Sequence, residues 1–399
     1  MIMERVRATS VFRTAFAVGV LVLEVVFAVL LIPRLKLKGL RKSSACAAVF
    51  PLKAAFVELN GAYARVIGRR LCNGVFRDEH GLMLMGVKRR DVSAVAASAI
   101  EFSKWLEKRN SRYLFVQVPS KADRGDTLHP PFLSHEGNAN ADDFLGRLEQ
   151  AGIATLDLRE TLARTPDDVR RQFYRTDHHW NNDAVFMAFG VIARRLAEMT
   201  GTDRSAIEEK IAASSWKREV WSNCFWGSQG RRTGRLFSGV DDLIVYTPRF
   251  PTQMSLDVPS KKIHLSGSFR KTNMWRAKDI RGRGRLEKDA YSFLYVGGLY
   301  PLVRHRNNGA PIRAKIIIIG DSYARPLEAF LSTVASDVVV LDPRRFAKGE
   351  TVSAIIRRFR PDVVLQMANT GGFHSDLIGR KKCGRPVMFD YGLPTSAGE

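Results

Sequence analysis

The sequence predicts an α/β fold with a doubly wound, mostly parallel sheet. Two observations carry that prediction. The first is the β-branched run Ile316-Ile317-Ile318-Ile319, which stops on Gly320-Asp321-Ser322 and is followed by helical spacing at Leu327, Phe330, Leu331 and Val334. A continuous apolar run of this kind is a strand buried on both faces, as in a sheet covered by helices. The second is the rhythm that follows: strand 315–319, helix 324–334, strand 337–341, helix 351–359, strand 362–366. Strands alternating with helices give a parallel sheet whose site lies beyond the carboxyl ends of its strands.

The remaining elements read in order. Asn73-Gly74-Val75-Phe76, with Gly81-Leu82-Met83-Leu84, reads as a turn and hairpin entering the domain. Asp91 to Lys108 is a helix, capped by Asp91 or Ser93 and carrying Val95, Ile100, Phe102 and Leu106. Tyr113 to Val118 is a strand that runs into Pro119-Ser120-Lys121-Ala122-Asp123. Asp142 to Glu149 is helical, Ala154 to Leu158 a short strand, and 182–199 an amphipathic helix. Residues 203–310 break the rhythm. They are rich in Arg, Gly and Ser, contain Trp216, Trp221, Trp226 and Trp275, and read as an insertion over the sheet edge with short strands near 243–247 and 291–296. Those tryptophans are either core or one wall of a sugar-binding groove.

The chain has 399 residues and a net charge of +23, from 63 Lys+Arg against 40 Asp+Glu. Such a surface suits anionic lipid, an acidic glycan or nucleic acid. No zinc-ligand spacing, RNA-recognition sequence or DNA-reading pattern is present, so nucleic acid is set aside. Thr14 to Ile32 is a nineteen-residue apolar stretch broken only by Glu24. It is long enough to span a bilayer and reads as an uncleaved signal anchor. A cleaved signal peptide with its small-residue site at Ala45-Cys46-Ala47-Ala48 is the alternative. Residues 1–42 are then a cytoplasmic tip, anchor and basic linker, and 43–399 the folded domain. Arg34, Lys36, Lys38, Arg41 and Lys42 after the anchor weigh against export on charge alone. The four cysteines, Cys46, Cys72, Cys224 and Cys383, form no metal or disulfide pattern, although one long bridge such as Cys72–Cys224 is open to them.

Chemistry enters with Tyr174-Arg175-Thr176-Asp177-His178-His179-Trp180. A serine nucleophile needs a base to take its proton, and the base needs a carboxylate to hold its tautomer. Asp177 and His179 can supply the pair and Ser322, at a strand–turn–helix junction, the nucleophile. Helix N-terminal amides beside Ser322 can receive an oxyanion.

These blocks resemble the DHHW protein family and the SGNH hydrolase-like domain of bacterial alginate O-acetylation proteins. The matching residues are Asn73-Gly74-Val75 with Gly81, Val118-Pro119-Ser120-Lys121, the Asp177-His178-His179-Trp180 block, and Phe225-Trp226-Gly227-Ser228 with Arg231-Arg232. Asp321-Ser322-Tyr323-Ala324 with Phe330-Leu331, and Asp342-Pro343-Arg344, complete them, so the resemblance spans about residues 73–373. It implies an α/β/α sandwich in circularly permuted order, the Asp/His block before the serine, with Ser322 as nucleophile, His179 as base and Asp177 as orienter. Asn369, placed three residues past a strand, and the amide of Tyr323 are the oxyanion candidates. Lys121 and Arg344 are candidates at the same mouth, Arg344 either for a substrate carboxylate or paired with Asp342 or Asp321. The implied activity is O-acetyl transfer onto a neutral or acidic envelope polysaccharide. The same residues with water as acceptor make an esterase, and a non-catalytic glycan-binding protein is the third reading. No cofactor is called for, and no CoA motif is visible. The acyl group is expected from a membrane-embedded partner, with the chain in the cytoplasmic membrane and its body periplasmic or extracellular.

Overall fold

The computed structural model describes Gly19 and residues 53–281, 290–373 and 388–394. Among them no helix is long and apolar enough to cross a membrane. The predicted anchor (apart from Gly19), the basic linker, Cys46 and Cys383 lie outside the described residues. The chain divides into two compact units, Met1–Met83 with Ser228–Gly239 and Leu84–Gly227 with Val240–Glu399.

In the first unit, helix Lys53–Val66 precedes the hairpin Leu71–Cys72/Val75–Arg77. Asn73 (φ 48°) and Gly74 (φ 76°) both take positive φ, which a two-residue hairpin turn requires and Asn-Gly supplies. Asn73 Nδ2 donates to the carbonyl of Arg232 at 2.7 Å, and the buried Cys72 thiol faces Thr233.

The second unit is built on an eight-stranded sheet. Its strands and flanking helices, in chain order, are α1 (Ser93–Glu107), β1 (Arg112–Val118), α2 (Gly137–Gln150), β2 (Thr155–Asp157), α3 (Asn182–Thr200), β3 (Trp216–Phe225), β4 (Asp241–Pro248), β5 (Met254–Val258), β6 (Ile263–Gly267), α4 (Ala290–Leu294), β7 (Leu302–Arg306), β8 (Ile312–Ile319), α5 (Ala324–Leu331), β9 (Ala335–Leu341), α6 (Val352–Phe359) and β10 (Val363–Asn369). The sheet order is β2-β1-β10-β8-β9-β7-β5-β6, and β3-β4 form a separate ribbon. The pairs from β2 to β9 are parallel, and β9-β7, β7-β5 and β5-β6 are antiparallel. One face is covered by α1, α2 and α6, around Phe102, Phe115, Phe144, Ile317, Val339 and Ile355. On the other face α3 packs against α5, with Phe186 and Phe189 each meeting Phe330.

The structure corrects several boundaries. Residues 203–310 do not merely overlie the sheet edge: they contribute β5, β6 and β7 to it. Residues 291–296 are not a strand. Ala290–Leu294 is helical and buries Tyr291 and Leu294, three apart, with Tyr295 just beyond. Helix α5 stops at Leu331 instead of residue 334, where Ser332 and Thr333 turn their hydroxyls back onto the carbonyls of Ala329 and Phe330. Neither Asp91 nor Ser93 is the N-cap of α1: Val92 holds that position, with no side-chain capping bond. Asp91 instead closes a turn onto the Ser93 amide. Trp216 is core, ringed by Phe186, Phe250, Phe269 and Phe330. Cys72 and Cys224 are both free thiols, not a bridge.

Candidate active site

Strand β8 is central, fully buried from Ile316 to Ile319, and flanked by parallel β9 and β10. Gly320 continues the ladder by donating to the Leu341 carbonyl at 3.0 Å. Asp321 Oδ1 then accepts from the Tyr323 amide at 2.9 Å, and this short turn delivers the chain into α5. Ser322 is therefore left at the carboxyl edge of the sheet, where parallel α/β folds bind ligands.

The loop Tyr174–Asn181 comes to it from the start of α3. Asn181 caps that helix by accepting from the amides of Asp183 and Ala184, which leaves the Asp177 carboxylate free of that duty. Asp177 Oδ1 accepts from the His179 amide at 3.0 Å and lies 2.5 Å from His179 Nδ1. His179 Nε2 is 2.7 Å from Ser322 Oγ. Asp177 and His179 are buried. Of the seven residues singled out from the sequence, these three are brought together in one hydrogen-bonded line. With Nδ1–H directed to the carboxylate, the Nε2 lone pair faces the serine hydroxyl, which is the arrangement for general-base activation.

The loop is held by groups with no local signature. The Asp241 carboxylate accepts from the Thr176 amide and hydroxyl at 2.8 and 2.6 Å, and from the Arg175 amide at 3.0 Å. The Gly227 amide donates to Thr176 Oγ1 at 2.9 Å. A Cβ on Gly227 would fall 2.3 Å from the Asp177 Cβ, so only glycine fits there. Tyr291 stacks on His179 with ring centroids 4.2 Å apart and accepts from Trp180 Nε1 at 2.9 Å. Trp180 is wholly buried beneath the loop. Burial pushes the Tyr291 and Tyr323 phenols well above their ordinary value, so both remain neutral.

The other four sequence candidates have distinct places. Lys121 is buried, not solvent-exposed. Its Nζ donates to the carbonyls of Arg175 and Asp177 at 2.8 and 2.7 Å, beneath the loop that carries the base. The Tyr323 amide is already bonded to Asp321, which removes it as an oxyanion donor in this arrangement. Asn369 is the last residue of β10, not a residue beyond it, because that strand runs on to residue 369. Ile319 pairs with Gln366, so Ser322 and Asn369 each stand three residues past one ladder rung. Its Oδ1 accepts from the Gly371 amide at 2.9 Å, and its Nδ2 takes no partner among the described residues. Arg344 is engaged as a fork on Asp342, at 2.8 and 2.9 Å, and Arg345 adds a third bond to the same buried carboxylate. The pairing with Asp342 is thus the alternative the structure bears out.

Among the described residues, one group of His, Cys, Asp and Glu ligand atoms is close enough to hold a metal: Asp177, His178 and His179, within 4.8 Å of one another. There Asp177 Oδ1 and His179 Nδ1 already face each other at hydrogen-bond distance, so a metal would have to take the place of that bond. His178 is half exposed, with Nδ1 3.5 Å from Asp177.

Residues 76–219 match the family model ALGX, the SGNH hydrolase-like domain of the acetyltransferase AlgX. The matched range contains Asp177 and His179 but ends before Ser322, which the fold brings to them. Bacillus cereus PatB1, solved with a sulfonyl adduct, superposes with a TM-score of 0.62 at 18% identity, covering 79% of this chain and 97% of that one. A DHHW family protein from Eubacterium siraeum does so with a TM-score of 0.55 at 16% identity, covering 76% and 93%. At these identities the likeness is one of fold. No curated protein matches the chain.

Proposed function

We propose that this SGNH hydrolase-like chain is a serine-dependent O-acetyltransferase acting on a polysaccharide. The observation that carries the reading is the line Asp177 Oδ1–His179–Ser322 Oγ, 2.5 and 2.7 Å long, at the carboxyl end of a central parallel strand. The match to an acetyltransferase's SGNH hydrolase-like domain supports the acyl chemistry. Apart from the residues of the Ser322 site, the half-buried Trp221 and Trp275 line a cavity of about 650 Å³ with Arg270, Lys271 and Lys278, a lining that suits a glycan. Aromatic faces stack on sugar rings, and the cations suit an acidic polymer.

In this mechanism Ser322 Oγ attacks the acyl carbonyl while its proton passes to His179 Nε2. The leaving group departs with that proton, and acyl-Ser322 remains. A sugar hydroxyl then gives its proton to His179, attacks the ester and frees Ser322. Asp177 fixes the imidazole tautomer and stabilises the imidazolium in both halves. Asn369 Nδ2 is the oxyanion donor in this reading: its amide oxygen is tied to Gly371, and its NH2 group stands at the end of the strand that pairs with the serine's own. The apolar stretch Thr14–Ile32 anchors the chain in the cytoplasmic membrane, with the body outside and the acyl group delivered by a membrane partner.

The test is acetyl transfer from p-nitrophenyl acetate by the full chain in detergent, beside Ser322→Ala and His179→Ala, with protein mass followed. A burst with one acetyl on Ser322, lost by on the order of 10³-fold or more in both variants, is expected. Equal turnover by folded wild type and variants would sink the mechanism. Adding a polysaccharide separates transfer from hydrolysis: transfer moves the acetyl to the polymer, whereas an esterase releases acetate.

A further inference from the structure

A second Ser–His–Asp grouping stands at the same edge of the sheet, two strands from Ser322. Ser120 lies two residues past the end of β1, and β1 pairs with β10 through Val118 and Asn369. The Thr370 hydroxyl, next after Asn369, donates to Ser120 Oγ. That leaves the Ser120 proton for His135 Nε2, 3.2 Å away. On the far side of the ring, His135 Nδ1 is 3.4 Å from Asp126 Oδ1. That oxygen is itself held by Asn138 Nδ2 at 2.9 Å.

The grouping is tightly built. The His135 side chain is 2% exposed, while Ser120 is only partly buried. A Cβ on Gly137 would fall 2.3 Å from His135 Cε1 and 2.8 Å from Thr370 Oγ1, so a glycine is required for the ring and the hydroxyl to meet. His129 packs on His135 at 4.7 Å between centroids, and burial lowers its pKa to about 4, so it stays neutral beside its neighbour. The nearby Asp123 carboxylate is committed to Thr127 and to the amide of Leu128. Asp126 is therefore the carboxylate that faces His135. The Gly137 amide also donates to His135 Nδ1 at 3.3 Å, which favours the tautomer opposite to the one the Asp126 contact favours. The one that Asp126 selects puts a lone pair on Nε2 toward Ser120.

We propose that Ser120 is a second acylable serine, activated by His135 and Asp126, that takes a small acyl group from an ester. Ser120 Oγ adds to the ester carbonyl carbon, and its proton moves to His135 Nε2. The carbon–oxygen bond to the leaving group breaks, and the departing alkoxide carries that proton away. The product is an O-acyl serine at the same sheet edge as Ser322.

The test uses full-length Ser322→Ala protein and p-nitrophenyl acetate, with acetylated peptides identified by mass. Acetyl on the Ser120 peptide is expected, absent in Ser322→Ala/Ser120→Ala and formed at least tenfold more slowly when His135→Gln is added. If that variant melts below the assay temperature, Asp126→Asn, at a partly exposed carboxylate, gives the same comparison and a smaller slowing. No acetyl on Ser120, or equal labelling with and without His135, would overturn the proposal and leave a structural network locking β1 to β10. Labelling of Ser322 in wild type is read on a different peptide, so either serine can fail without the other.

Discussion

Asp177 is held in place by residues that no motif around it contains. Gly227 leaves no room for a side chain against its Cβ and Cα, Lys121 binds its carbonyl, and Asp241 fixes the preceding Thr176. Gly227→Ala therefore has nowhere to put its methyl except by moving Asp177. A displacement of about 1 Å costs on the order of 10²-fold in rate. Turnover of p-nitrophenyl acetate should fall by that order while the circular dichroism spectrum is retained; unchanged turnover would mean that the loop yields without consequence. Lys121→Met removes two charge-assisted bonds to loop carbonyls but keeps the aliphatic stem. We expect kcat to drop about tenfold or more with KM for the small ester little changed, because the substrate never meets Lys121. The three aligned residues were legible in the sequence because each sits in a short block whose chemistry is local: a strand that stops on Gly-Asp-Ser, and an Asp-x-His pair before a helix. The residues that hold the loop were not. Asp241 is 65 residues from Thr176 along the chain, and Gly227 is 51 from its hydrogen-bond partner, also Thr176. Tyr291 fell in a stretch read as a strand. Lys121 was noticed but assigned no partner, since nothing in sequence says that a lysine after a strand will be buried.

At the scale of elements, two charged pairs hold the helices that bear the site. On α5, Arg325 and Glu328 are bonded at 2.8 Å with neither side chain exposed to solvent. Arg325 also donates to the Tyr300 carbonyl at 2.7 Å, and His305 Nε2 lies 3.5 Å from Glu328. Removing one member of such a pair strands the other without solvent, at a cost of about 3–5 kcal/mol. Glu328→Ala should lower the urea midpoint by that order, and Glu328→Gln, which keeps an acceptor, by clearly less. Near-equal midpoints for Ala and wild type would show that water reaches Arg325. On α3, burial alone would raise the Asp183 carboxyl, but bonds from Arg218 at 2.8 Å and the Tyr246 hydroxyl at 2.7 Å hold it below the ordinary value. A carboxyl with a depressed folded pKa adds stability that is complete above its unfolded value, about 3.9, and is lost as pH falls through the folded one. Wild type should thus lose more stability than Asp183→Asn when the pH is lowered from about 6 to below 3.9. Parallel pH curves for the two would remove Asp183 from the account. Helix α4 shows how a local reading fails. Its aromatic-rich sequence favours a strand, and the burial of Tyr291 against His179 and Trp180 overrides that preference.

For the whole molecule, the parallel half of the sheet was legible because its strands are continuous apolar runs separated by amphipathic helices. The antiparallel half was not. Strands β5, β6 and β7 are short and half polar, and they join the sheet only through the pairing of β7 with β9, a neighbour specified by no local pattern, with β5 and then β6 added onto β7. The carboxyl-terminal residues 388–394 carried no signal either, yet they complete the core on the α1 face. The Tyr391 ring stacks on Phe102 at 3.7 Å with 4° between planes. Tyr391 and Tyr113 both donate their hydroxyls to Gln366 Oε1, at 2.6 and 2.7 Å, within the buried strand β10. The backbone is fixed as well, since Ser98 donates to the Phe389 carbonyl and the Ser353 amide to that of Tyr391. The strand ending at Asn369 is thus braced by residues about twenty positions further on. Tyr391→Ala should cost about 3–5 kcal/mol, the range for emptying a large buried aromatic site, and Tyr391→Phe about 1 kcal/mol for one lost hydroxyl bond. Urea denaturation of the three proteins reads both differences. If Tyr391→Ala unfolds at the wild-type midpoint, the segment is an ornament on the sheet; a loss of the predicted size makes it part of the scaffold that holds β10 in the sheet.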